Sequence, residues 1–219
     1  MEKVVARLAE VFPNNNYRNR ALWRAYLPHA LFVLASDIPQ KIREERTRLL
    51  EDISLCLLSE GRYVEAEILI REFVETRKRL LGQDHPSTLD VTVSLASTYS
   101  FQRRMKEAEE LDLYVLEARK KVLGEEHPDT LRGIANLGST YRRQGRPNRA
   151  EELEMQVIQT GKKVLGHEHP DTLSMMASLA TTYHIQGRWN EAKELKVQVL
   201  ETRKKVLNKE HPRYSSQHF

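Results

Sequence analysis

The stretch Leu123–Leu131, LGEEHPDTL, decides the fold because it keeps returning. LGQDHPSTL stands at 81–89, LGHEHPDTL at 165–173, and LNKEHPRYS starts at Leu207. The His-Pro pairs therefore fall at His85, His127, His169 and His211, one every 42 residues. Such an interval suits either a row of metal ligands or a structural punctuation mark. Ligands of one ion must converge within a few ångströms, whereas histidines one period apart are separated by at least a helix spacing of about 8–10 Å. The surroundings favour punctuation. Lys/Arg followed by Gly124 or Gly166 is a helix stop, and proline suits the first position of a new helix, where its missing N–H costs nothing. Asp129 and Asp171 then place a carboxylate at the positive end of that helix. On this reading no metal is bound. The histidine itself is expendable, and His127→Ala should leave melting nearly unchanged.

Working outward, the period organises most of the chain. SLASTYSFQRR, NLGSTYRRQGR and SLATTYHIQGR align, which puts Tyr99, Tyr141 and Tyr183 in one column and Leu95, Leu137 and Leu179 in another. Ala96, Gly138 and Ala180 form a column that is always small, as close helix approach requires. Leu131, Ala135, Gly138 and Tyr141 recur at helical steps, and so do Ala108, Leu111, Val115 and Val122. Each unit is thus two helices, with Gly145 as a left-handed residue between them. Four units are expected, 43–84, 85–126, 127–168 and 169–210, within a repeat region spanning 41–212. In the first, Ile53, Ser54 and Leu57 stand in the Leu, small and Tyr columns.

Residues 1–40 lie outside the period and read as a helical N-terminal cap. Val4, Val5, Leu8, Val11 and Phe12 share one face, NNNY is a loop, and a second helix is broken or restarted at Pro28. Residues 213–219 read as an unstructured tail. In the final helix, Leu195, Val199, Leu200 and Val206 repeat the packing pattern of the interior copies. This uncapped edge is therefore expected to be covered by more protein in a longer parent or by another copy, and the isolated chain to self-associate through it or fray there.

Composition agrees with an all-α protein without membrane spans. The 219 residues are 40% hydrophobic, 30% charged and only 7% aromatic, with 35 basic and 31 acidic side chains giving a net charge of +4. Cys56 is the only cysteine, which excludes an intrachain disulfide and suits a reducing compartment. MEKVVARLAEVF lacks the apolar run of a signal peptide, and the expected localisation is cytoplasmic.

The helix pairs with Leu137, Gly138, Tyr141 and Ala150 resemble the tetratricopeptide repeat, whose usual unit is roughly 34 residues. The longer second helix ending in KKVLG, joined through EHPDTL, is similar to the kinesin light chain subfamily. The segment before the repeats also resembles the one that precedes such repeats in fungal NOD-like receptors. The resemblance implies a superhelical solenoid of helix pairs with a 42-residue period. Its implied role is non-enzymatic: binding a peptide or protein partner on a concave face, as the sensor or scaffold part of a receptor of that kind. A kinesin light chain-like cargo adaptor is the alternative. By the same resemblance the partner-binding residues are Arg132, Asn136, Ser139, Arg142, Arg143, Ser174, Ser178, Thr181 and His184. Arg142 and Arg143 are the expected anchors for an acidic partner. Of the asparagines that line a kinesin-type groove only Asn136 is kept, between Ser94 and Ser178.

No catalytic residues, metal ligands or cofactor are expected. The chain has no nucleophile elbow, no H-E-x-x-H, no paired cysteines and no phosphate-binding loop. Cys56 lies on an apolar helix face, and the carboxylates read as solvated columns. Glu75, Glu117 and Glu201 stand four residues before Arg79, Lys121 and Lys205, a spacing that suits exposed ion pairs. The cations at 78–79, 120–121, 162–163 and 204–205 raise a competing reading, a nucleic-acid-binding solenoid. It is the lesser one, since Asp84, Glu126, Glu168 and Glu210 stack beside them and no aromatics interleave for base stacking.

Overall fold

A computed structural model describes residues 2–12, 19–35 and 43–210, and every regular element among them is an α-helix. In chain order these are α1 (Glu2–Val11), α2 (Arg20–Leu34), α3 (Arg43–Ser59), α4 (Tyr63–Leu81) and α5 (Pro86–Phe101). They are followed by α6 (Met105–Leu123), α7 (Pro128–Arg143), α8 (Pro147–Val164), α9 (Pro170–Ile185) and α10 (Trp189–Glu210). The fold is all-α, with helix pairs recurring at the 42-residue period. His211 with its proline, the NNNY segment and the 213–219 tail lie outside the described residues.

The chain forms two compact units, 1–108 and 109–219. In the first, α1 and α2 pack on α3, α3 on α4, and α4 on α5. Val5 and Leu8 of α1 and Phe12 just past its end are buried, while Val4 is 49% exposed, so the apolar face is narrower than the sequence suggests. Helix α2 runs through Pro28 without a break. Pro28 lies on an exposed stretch, where water can satisfy the carbonyl that the ring leaves without a donor. Ile53, Ser54 and Leu57 are all buried, as their columns require.

In the second unit α7 packs on α8, α8 on α9, and α9 on α10. Leu131, Leu137, Tyr141, Val157, Leu173, Leu179 and Val199 belong to one continuous apolar core. Each such side chain contributes about 1.5–3 kcal/mol on burial. A Cβ added at Gly138 would stand 3.3 Å from Glu154 Cγ, which is why this column stays small.

The His-Pro motif does more than punctuate. Pro86, Pro128 and Pro170 are the first helical residues, and each histidine before them is the N-cap. Nδ1 of His127 accepts the backbone N–H of Asp129 at 3.1 Å, and His169 accepts that of Asp171 at 3.1 Å. His85 does the same for Ser87 at 3.2 Å. Thr88 and Thr130 then donate to the carbonyls of Gly82 and Gly124, each at 2.8 Å, closing the loop on the helix stop. The histidine is therefore not expendable. His127→Ala is expected to cost about 0.5–2 kcal/mol, and His127→Asn, which can cap the same amides, much less. The urea midpoints of the two variants check this, and identical midpoints for His127→Ala and wild type would overturn it.

Candidate functional site

Helices α7 and α9 lie side by side, and the second unit's candidate interaction face is built on them. Arg132, Asn136, Ser139 and Arg143 follow one another at four-, three- and four-residue steps, which sets them along one stripe of α7. Ser174, Ser178 and Thr181 repeat that stripe on α9, with Ile185 next in register. Arg132, Arg143, Ser174, Thr181, His184 and Ile185 are exposed, and Asn136, Ser139 and Ser178 are half-buried. Arg132 bonds Asp129 of its own helix. The hydroxyls of Ser174 and Thr181 bond back to the carbonyls of Pro170 and Ala177 at 2.9 and 3.0 Å. At the end of α9 the His184 ring meets the Trp189 ring edge-on, 4.4 Å between centroids, and Trp189 is itself 59% exposed.

Arg142 does not belong to this stripe. Its side chain is only 12% exposed and pairs with Glu154, which is fully buried. Its Nη1 also reaches the Ser178 carbonyl at 3.5 Å and Thr182 Oγ1 at 3.4 Å. One residue's difference is a turn of about 100° on a helix, enough to send Arg143 outward and Arg142 into the seam between α7, α8 and α9. An expected surface anchor is thus an interior ion pair.

That seam holds carboxylates that the columns alone do not reveal. Thr182 donates to Glu154 at 2.5 Å, and Thr140 donates to Asp112 at 2.5 Å in the equivalent place one period earlier. Burial pushes both acids above their ordinary range, Asp112 to about 6. The bond from the Thr140 hydroxyl offsets only part of the burial of Asp112.

A second set of carboxylates ties successive helices together. Glu109 accepts from Gln144 at 2.7 Å and from Arg146 at 3.1 Å, and Glu151 accepts from Gln186 at 2.7 Å and Arg188 at 2.6 Å. Within the first unit Glu67 receives Gln102 at 2.9 Å and Arg104 at 2.8 Å. Burial raises these three acids, but the amide and guanidinium bonds outweigh it and hold them below their ordinary range. Each arginine also covers the tyrosine of its column, Arg104 over Tyr99 at 4.1 Å, Arg146 over Tyr141 at 4.4 Å and Arg188 over Tyr183 at 3.9 Å. The recurrent QRR and QGR in the sequence are the signal for this clamp. Its acidic half is hidden among many surface glutamates.

Four of the eight cations in the basic columns have a carboxylate partner. Lys78 pairs with Glu75 and Lys120 with Glu117, both at 3.1 Å and three residues apart rather than at the expected four. Lys163 reaches Glu126 at 2.9 Å and Lys205 reaches Glu168 at 3.1 Å, each across one period. Cys56 is fully buried, and burial pushes its thiol up to about 12, an unreactive state at neutral pH. No helix among the described residues is long and apolar enough to cross a membrane.

Comparison with known proteins places this geometry. Among curated proteins, a nucleotide-binding leucine-rich repeat (NLR)-like protein of Hyaloscypha variabilis is 38% identical over 84 residues. That match takes in 38% of this chain, and the chain spans only 8% of the relative's length. Two crystal structures of a putative kinesin light chain from Podosopora anserina, with nearly identical TPR-like repeats, are 26% identical to this chain. Their TM-scores are 0.71 and 0.68, covering 94% and 93% of this chain and 96% and 95% of theirs. BtubC (BKLC) from P. vanneervenii shares the fold, with a TM-score of 0.62 at 20% identity over 86% of this chain and 73% of its own. Two profiles, both described as Tetratricopeptide repeat, match residues 93–163 and residues 48–87 and 172–213, and the chain belongs to the tetratricopeptide repeat family.

Proposed function

We propose that this chain is a non-enzymatic protein-interaction module whose α7–α9 face holds an extended, acidic peptide or protein segment. The observation that carries the proposal is the outward stripe from Arg132 to Arg143 beside its counterpart from Ser174 to Ile185. It offers two guanidinium groups, several short polar side chains and an aromatic end at His184 and Trp189, with no convergent reactive pair. Guanidinium groups suit carboxylates because they bind them with two parallel hydrogen bonds. The likeness to an NLR-like protein supports a place as the sensor or scaffold part of a cytoplasmic receptor of that kind. The likeness to a putative kinesin light chain supports cargo adaptation as the second reading. Ion pairing along the basic columns counts against nucleic acid as the partner.

Selection from a displayed library of random peptides on the purified chain tests the face. Enriched peptides should be acidic, and their binding should weaken at least about tenfold in the Arg132→Glu/Arg143→Glu double variant while helix content holds. Peptides that bind the double variant as tightly as wild type would place the site elsewhere.

A further inference from the structure

The second helix of each pair carries a five-position stripe, and in the second unit this stripe faces the next first helix. Along α8 and its C-cap it reads Glu151, Glu154, Ile158, Gly161 and Leu165. Helix α9 covers it, leaving Glu154 fully buried and Ile158 7% exposed. On α10 the same positions are Lys193, Lys196, Leu200, Arg203 and Leu207, all exposed, with both leucines at 56%. The two acids that receive Arg188 and Thr182 on α8 have become cations on α10. A helix pair like the preceding ones, with an arginine in the clamp position, would set it against Lys193.

The first unit shows how a cationic helix is received in this fold. Arg20 and Arg24 of α2 both donate to Glu60, Arg20 at 2.5 Å. Glu60 occupies the position of Gln102, Gln144 and Gln186 in the later turns. Where the covering helix is basic, the turn supplies a carboxylate.

We propose that the Lys193–Leu207 stripe of α10 is a second docking surface, distinct from the α7–α9 face, for an acidic amphipathic helix of another protein. Leu200 and Leu207 seat the apolar edge of that helix, and Lys193, Lys196 and Arg203 pair with its carboxylates. A second copy of this chain fits poorly. Symmetric pairing through the stripe opposes three cations with three. The exposed charges described on α1 and α2 are Lys3, Arg7 and Arg24 against Glu10, which offers little negative charge for a head-to-tail contact.

The probe is a labelled, helix-stapled peptide copying residues 170–188 with Thr182→Glu, Gln186→Glu and Arg188→Glu. Its binding to the full chain is read by fluorescence anisotropy beside the unsubstituted peptide. The acidic peptide should bind at least about tenfold more tightly. Lys193→Glu/Lys196→Glu in the chain should reverse that preference without loss of helix content, since both lysines are exposed. Equal binding of the two peptides, or acidic binding that survives the double variant, overturns the proposal. So does a single-stranded DNA of about 20 nucleotides that outcompetes the acidic peptide at this stripe. A chain that dimerises by light scattering and is dissociated by Leu200→Glu assigns the stripe to a second copy, and overturns it as well.

Discussion

Arg142→Glu is expected to destabilise the second unit by about 3–5 kcal/mol, whereas Arg143→Glu should change its stability by less than about 0.5 kcal/mol. The two residues are neighbours on α7 and both are arginine, so composition and local propensity cannot separate them. Burial does. The Arg142 side chain is 12% exposed against a Glu154 with none, while Arg143 is exposed. Reversing Arg142 sets two carboxylates together in a buried seam and removes the donors to the Ser178 carbonyl and Thr182 hydroxyl. Leaving one member of a buried pair uncompensated is the expensive case, because its desolvation is no longer offset. Glu154→Gln added to Arg142→Glu should recover part of the loss, since the glutamine carries no charge to oppose. The measurement is the denaturation midpoint of each single variant and the double. Wild-type stability for Arg142→Glu would mean that the pair does not form. The same variants separate stability from binding: partner capture lost in Arg142→Glu alone reports unfolding, and capture lost in the stable Arg143→Glu reports the face.

The parts of this fold that were legible in the sequence are those where one chemistry recurs at 42 residues. The prolines at 86, 128 and 170 mark three helix starts, and the Leu and small columns are buried where the period places them, as are Tyr99 and Tyr141, with Tyr183 half-buried. Positions that exchange chemistry from copy to copy were not legible. In the column Ile70, Asp112, Glu154 and Lys196 an apolar residue, two acids and a base alternate, and only packing shows that the acids are interior. Arg119 is buried and donates to the Asp129 carbonyl at 3.0 Å, facing Gly133. One period later the bulk changes sides: Gly161 stands where the arginine was, and Met175 fills the space with its sulfur 3.3 Å from a Cβ at Gly161. Either column alone looks like drift, and together they conserve volume. Arg103 is a similar case, adopting a left-handed φ of 65° where Gly61, Gly145 and Gly187 stand at 74°, 74° and 78° in the equivalent turns. The candidate face was legible as far as its stripes, because helical spacing fixes which residues share a side. Arg142 was misplaced because its partner, Glu154, lies on another helix.

Asp112 provides a pH effect that falls between the acid range and neutrality. Its folded carboxyl titrates at about 6 against an ordinary value of 3.8, because burial outweighs the bond from Thr140. A raised folded pKa means that the folded state holds the proton more tightly than the unfolded chain. The associated stability is fully present below pH 3.8 and is lost as pH rises through about 6. At neutral pH the ionised carboxylate therefore costs about 3 kcal/mol relative to its neutral form. Asp112→Asn replaces it with a side chain shaped like the protonated acid, still able to accept from Thr140. The variant should match wild type near pH 4 and exceed it by about 1–3 kcal/mol at pH 7.5, the gap opening between those limits. Glu67, Glu109 and Glu151, held below their ordinary range by Arg104, Arg146 and Arg188, act in the opposite direction: the stability they contribute is lost as pH falls. The wild-type profile alone is thus a composite, and the difference between the two proteins isolates Asp112. Urea denaturation of both at a series of pH values measures it. A difference that does not change with pH would show that Asp112 is ionised equally in the folded and unfolded chains, and that the Asp112–Thr140 seam is open to water.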